Sequence, residues 1–381
     1  LFILTLVPVE SNIVYWKIGA FSLSAYLTLV TPFFLGLSLV LLLVAEKKSD
    51  RRRSPLPSAR GTFWRALFTV VSPWFGLTVA AMVSLLFHWR IEGLQNSLVL
   101  ASLVVGIVFF SLADHEITER TVNSLLPILG ASVGVLFAIT QIVDTELRFG
   151  IEIFSPRQFA MVAIVSLAAA LSSPETGLAY RVSPYIILFS IILSASRTAA
   201  VAGGIMVLIS IWNSSQTLII FARRVLPFAT FGILSVVLGI LTTRDVAERF
   251  AGGGLEQTSV LSDSGRIQAW LRFLELPQTW WDWTVGLGAG ASAEFGQREL
   301  VAFPQTLNEY LRFLLDNGVL GLLLFVSTLI GIVVVTKTLA KRDAANNSAG
   351  LLVVGLALIA VTDGPFYSYF VALPASLVIG T

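Results

Sequence analysis

"FPQTLNEYLRFLLDNGVLG" (303–321) runs without a break into "LLLFVSTLIGIVVV" (322–335). From Val319 to Val335 no residue is charged, which is the composition of a helix in lipid. The half before it holds Gln305, Asn308, Glu309, Arg312, Asp316 and Asn317. Leu311, Leu314 and Leu315 fall at helical spacing among those polar groups, so a helix is expected over 305–316. Gly318 and Gly321 then let the chain bend into the membrane or pack closely against another helix. A polar helix end feeding a span is either an interfacial anchor or one wall of a site.

The rest of the chain fits that setting. Of its 381 residues, 56% are hydrophobic and only 13% charged, where soluble domains carry about a quarter. Mean hydropathy is +0.84. The apolar residues come in continuous runs, without the alternation of a membrane-barrel strand. An all-α polytopic bundle is the expected class. There is no Cys and there are only two His, His88 and His115; this excludes disulfides and thiolate chemistry and argues against a metal or haem site. A net charge of +2 gives no footprint for nucleic acid.

About twelve spans are expected. "LFILTLVPV" (1–9) reads as the tail of a first span whose start lies upstream, not as a signal peptide. Runs near 22–45, 66–88, 95–112, 123–143, 158–173, 184–196, 198–213, 224–242, 318–336, 350–362 and 366–380 follow. The chain thus divides into N-terminal helices (1–242), one large loop (243–317) and C-terminal helices (318–381). "EKKSDRRRSPLPSAR" (46–60) is a basic, solvated connection. Counting spans from it puts Arg120, Arg181, Arg223, Arg224, Lys337, Lys341 and Arg342 on the same side, which the positive-inside rule makes cytoplasmic. The block 243–317 falls on the opposite face. It holds Trp270, Trp280, Trp281 and Trp283, residues enriched at membrane–water boundaries. Long external connections of this kind are usually functional.

Four places could carry chemistry. Arg197, in "SASRTAAVAGG", lies between two apolar runs on the face where Arg is disfavoured. It is either an arginine reaching for headgroups or an anion ligand, since a guanidinium fork suits phosphate oxygens. Arg266, in "LSDSGRIQAWLRFLEL", begins a helix through Ile267, Trp270, Leu271 and Leu274 that Ser262 or Ser264 can cap. Arg272 falls on another face of that helix, which taken alone is an ordinary interfacial amphipath. "GLGAG" (286–290), with Gly288 at its centre, is either a backbone cradle for phosphate or a plain turn; it lacks the context of a nucleotide fingerprint. The fourth is Asn308, Glu309, Tyr310 and Arg312.

Taken in this order, the motifs closely resemble the O-antigen ligase and O-antigen polymerase superfamily. "SGRIQAWLRFL" and "NEYLRFLLDNGVLG" are the sharpest matches, and the earlier spans agree only in hydropathy. The resemblance implies a bacterial inner-membrane protein with its site on the periplasmic face. It also implies a metal-independent, cofactor-free glycosyl transfer from an undecaprenyl diphosphate-linked glycan, with Arg197 and Arg266 at the positions of the family's diphosphate-holding arginines. Arg272, Asn308, Tyr310, Arg312 and Gly288 are the further candidates for substrate contact. The family usually has His just before Asn-Glu-Tyr-Leu, where this chain has Leu307. Glu309 is then the nearest candidate base, with Tyr310, Asp263 and Glu294 behind it.

Two family activities remain open. A polysaccharide polymerase, for O-antigen or exopolysaccharide, would use a lipid-linked repeat unit as acceptor and could work with a chain-length regulator. A ligase would use the lipid A core of lipopolysaccharide. The lost His favours the polymerase. A transporter or flippase is a further alternative, opposed by the scarcity of ionisable groups inside the spans and the absence of internal repeats. A member without catalysis is the last alternative, which Leu307 keeps open.

Overall fold

The computed structural model describes residues 57–113, 115–143, 156–242, 266–300, 306–340, 347–367 and 369–380, with short pieces between 17 and 40. The expected spans at 1–9 and, for most of its length, 22–45 lie outside the described residues, as do Ser262, Asp263 and Ser264. Apart from a minimal pairing of Lys17–Ile18 (β1) with Phe21–Ser22 (β2), the described chain is helical.

The helices are α1 (Pro57–Phe87), α2 (Ile91–Leu112) and α3 (His115–Arg120), continuing through a π-helical turn at Thr121–Leu125 into α4 (Leu126–Val143). Next come α5 (Pro156–Ser172), α6 (Leu178–Leu193), α7 (Arg197–Asn213) and α8 (Leu218–Thr242). Three short helices follow, α9 (Arg266–Leu274), α10 (Trp280–Val285) and α11 (Ala291–Glu299). The long α12 (Glu309–Ala340), α13 (Asn347–Ile359) and α14 (Tyr369–Gly380) end the chain.

Among the described residues, five stretches are helical, long and apolar enough to cross a membrane: Trp64–Phe87, Ile91–Leu112, Glu116–Ile142, Leu218–Thr242 and Glu309–Thr338. Five more apolar helices are shorter. Their shortness has a structural counterpart in α5, where every residue from Phe159 to Ala170 is buried. A helix apolar on all sides belongs inside a bundle, and α5 touches α4, α6, α7 and α13. At 17 residues it is about 25 Å long, short of the roughly 30 Å of a hydrocarbon core, yet it is sheathed by protein. The opposite case is α8, which leaves Leu226, Ile233, Leu234 and Leu241 exposed along its outer face.

Connections gather at two ends. Ser173 Oγ donates to the Asn123 carbonyl at 2.5 Å, and Ser124 Oγ to Glu175 at 3.1 Å, joining the π-helical turn to the connection after α5. The other end collects 88–90, 194–197, 266–300, 306–317 and 360–367. Its small core is Phe273, Leu311 and Leu315, with Trp270, Leu276, Phe295 and Leu300 against it. Trp270 Nε1 donates to the Thr306 carbonyl at 2.7 Å, pinning α9 to the chain that enters α12.

Helix α12 starts at Glu309, nine positions before the expected span, because the polar turns and the apolar run are one rod broken at Gly318 (φ 66°, ψ −171°). A Cβ at Gly318 would sit 2.2 Å from the Thr284 carbonyl oxygen, so α10 occupies the space a side chain would need.

Candidate functional site

Arg197 is the first residue of α7, and Arg266 is the first described residue of α9. A cation is poorly placed at a helix N-terminus, where the backbone already presents positive charge. An anion between a guanidinium and unpaired N–H groups gains from both. The two helices meet the same residue. Thr362, in the turn after α13, has its hydroxyl 2.6 Å from that of Thr198, next in chain to Arg197. The Thr362 carbonyl accepts from Arg266 Nη1 at 3.2 Å. Arg197 is exposed, Arg266 partly so, and Asp363 next to Thr362 is buried. Among the described residues no ion pair involves Arg197.

Sequence reasoning passed over Thr198, Thr362 and Asp363. A signal existed: Asp363 is the only charged residue from 347 to 381, and a lone charge between two apolar helices is a default site marker.

The polar stretch before the span is used differently from the expectation. Asn308 caps α12, its Oδ1 accepting from the Leu311 N–H at 3.0 Å, in the way Asn caps do. Tyr310 donates its hydroxyl to the Ala357 carbonyl at 3.0 Å. Glu309 and Arg312, one turn apart, form a buried ion pair, and the second oxygen of Glu309 accepts from the Phe366 N–H at 3.1 Å. The Glu309 N–H donates to the Ala360 carbonyl at 2.8 Å. With both oxygens engaged and 1% of the residue exposed, Glu309 sits where an acceptor hydroxyl does not reach it. Glu309 and Tyr310 bind α12 to α13 and to the 360–367 turn, which carries Thr362 and Asp363.

Gly288 also turns inward. The 286–290 turn has three glycines at positive φ, but its N–H groups are taken. Leu287 and Gly288 donate to the carbonyls of Leu315 and Asp316 at 2.8 and 3.0 Å. Gly290 and Ser292 donate to the Asp316 carboxylate at 3.1 and 2.9 Å. Ala289 donates to Ser84 Oγ at 2.8 Å. The turn is a brace between α12 and the α1–α2 corner, with no donor left in it for a phosphate. Arg272 lies apart, exposed and paired with Glu275 at 3.1 Å.

Leu307 has φ 50°. Left-handed backbone is uncommon outside glycine and is enriched in Asn, Asp and His, so a branched apolar side chain is strained at this entry to α12. Glu294, on α11, is clamped between Arg90 (2.5 Å) and Arg298 (2.7 Å). The hydrogen bond from Arg90, with the charges of both arginines, holds its carboxyl below the usual glutamate range. That favours the ionised form and suits a fixed acceptor better than a base.

No three His, Cys, Asp or Glu side chains among the described residues cluster to hold a metal ion. No model of a known protein family matches the chain, and no match to it is found among curated proteins.

Proposed function

We propose that the chain is a membrane glycosyltransferase of the polymerase type, working without a metal on the periplasmic face of a bacterial inner membrane. In this reading about twelve spans carry a cap formed by 243–317. One observation carries the proposal. Thr198, next in chain to Arg197, and Arg266 itself both hydrogen-bond to Thr362, across sequence separations of 164 and 96 residues. Arg197 at the start of α7 and Arg266 on α9 thus come to one corner, where two guanidinium groups suit a diphosphate.

The donor is an undecaprenyl diphosphate-linked glycan, and the bond broken joins its anomeric carbon to the diphosphate oxygen. The departing lipid diphosphate keeps the bonding electrons, and the two guanidinium groups stabilise that growing negative charge in place. The acceptor hydroxyl forms the new bond at the anomeric carbon and gives up its proton. Asp363 follows Thr362 in this corner, and we assign it to take that proton. The acceptor is a lipid-linked repeat unit. The ligase reading differs only in its acceptor, and Leu307, which can neither take nor orient a proton, weighs against it.

The test is polymer assembly by Arg197→Ala, Arg266→Ala and Asp363→Asn variants, with membrane insertion checked in parallel. Each should lose activity by about 100-fold or more while remaining inserted. Full activity in both arginine variants would end the donor-site assignment.

A further inference from the structure

A cavity of about 510 Å³ lies at the same end of the bundle and is lined by none of the residues assigned to the transfer. Its walls include His88 and Arg90 from the α1–α2 connection and Glu294, Phe295, Arg298 and Glu299 from α11. This volume is within the usual range for small-ligand sites, about 300–1,000 Å³.

The chemistry of the walls narrows the ligand. Arg90 and Arg298 oppose Glu294 and Glu299, so the formal charges cancel and a phosphate or carboxylate gains no net attraction. Glu294 is fixed from two sides, and Arg90 is fixed by Glu294 and by the Leu287 carbonyl at 3.2 Å. The side chains of Arg90 and Glu294 are nevertheless 20% and 32% exposed, so they are rigid and still reachable. Donors and acceptors thus stand in fixed positions beside an aromatic ring and the apolar Leu276 and Leu287. A ligand matching this has hydroxyls along its edge and C–H groups on its face.

We infer that this cavity is a saccharide subsite that holds sugar rings of the glycan away from the bond being broken. It rests on the glycosyltransferase reading and deepens it. The 286–292 turn that backs the cavity is the one clamped by the Asp316 carboxylate, so glycan held here would be held against a firm part of the cap.

The test uses the full chain in lipid nanodiscs. The probe is the repeat oligosaccharide released by mild acid from the surface polysaccharide of the source cell, and saturation-transfer NMR reports binding. Arg298→Ala removes an exposed group that is ion-paired with Glu294, and should weaken binding about tenfold. Glu294→Gln should weaken it in the same direction, and Arg266→Ala should keep the probe's affinity while losing transfer. No saturation transfer from the probe, or unchanged affinity in both cavity variants, would overturn the inference. So would displacement of the probe by inorganic phosphate or by glycerophosphoethanolamine. If Arg266→Ala transfers normally while Arg298→Ala still loses the sugar, the transfer assignment falls and the saccharide site stands.

Discussion

Arg312 and Arg197 lie at the same end of the bundle, and the chain treats them in opposite ways. Arg312 is 3% exposed and paired with the Glu309 carboxylate. Arg197 is exposed at the first position of α7, where the helix itself offers positive potential, and no described carboxylate pairs with it. A charge neutralised from within the fold is part of the frame. A charge left uncompensated beside a helix start waits for an anion from outside. The contrast divides the polar residues of this end into those that build the corner and those that use it.

Glu309→Gln presses on the frame side hardest. It leaves the Arg312 charge buried without its carboxylate, which costs about 3–5 kcal/mol. Thermal unfolding of the purified protein should show the loss, and Glu309→Gln combined with Arg312→Met should recover part of it. If Glu309→Gln abolished transfer with unaltered stability, Glu309 would belong with the users, not the builders. Gly318→Ala comes next. Its backbone geometry is open only to glycine and costs another residue about 1–3 kcal/mol, before any clash with the Thr284 carbonyl. Loss of stability in the same unfolding assay is expected, and a neutral result would place the bend elsewhere.

Why some of this was legible in the sequence and some was not has physical causes. Hydropathy marked the helices because apolar runs in a bundle need no partner information. It misjudged the start of α12 because Glu309, Arg312 and Asp316 look solvated until their partners are known. The i,i+3 spacing of Glu309 and Arg312 did carry a hint of their pairing. The amphipathic pattern of 266–274 gave α9, and the glycine pair gave the bend at Gly318. The Thr198–Thr362–Arg266 junction was hidden because it joins residues far apart in the chain through a hydroxyl pair and a carbonyl. Neither leaves a pattern in one sequence. The turn at 286–290 resembled a phosphate cradle because the same left-handed glycines serve a brace, and only the Asp316 carboxylate distinguishes the two.

Smaller effects sharpen the division. Leu307→Asn should stabilise the protein by up to about 1 kcal/mol, because Asn tolerates the left-handed backbone that strains a leucine. A loss of stability would mean that packing of the leucine outweighs its strain. The Arg90–Glu294–Arg298 clamp should depend on pH. Because the Glu294 carboxyl is held below its usual range, the clamp's contribution is complete above the ordinary glutamate value of about 4.3. It is then lost as pH falls through the lower folded value. Acid titration of wild type against Glu294→Gln should show the difference shrinking at low pH. A difference that stays constant would remove the charge from the clamp's role.

The most direct measurement is the affinity of the purified chain for undecaprenyl diphosphate, read for wild type, Arg197→Ala, Arg266→Ala and the Glu309→Gln/Arg312→Met pair. The account predicts that either exposed-end arginine variant loses most of the binding, while the buried-pair variant, once folded, binds as wild type does. Retained binding in both Arg197→Ala and Arg266→Ala, or loss of binding confined to the buried pair, would contradict it.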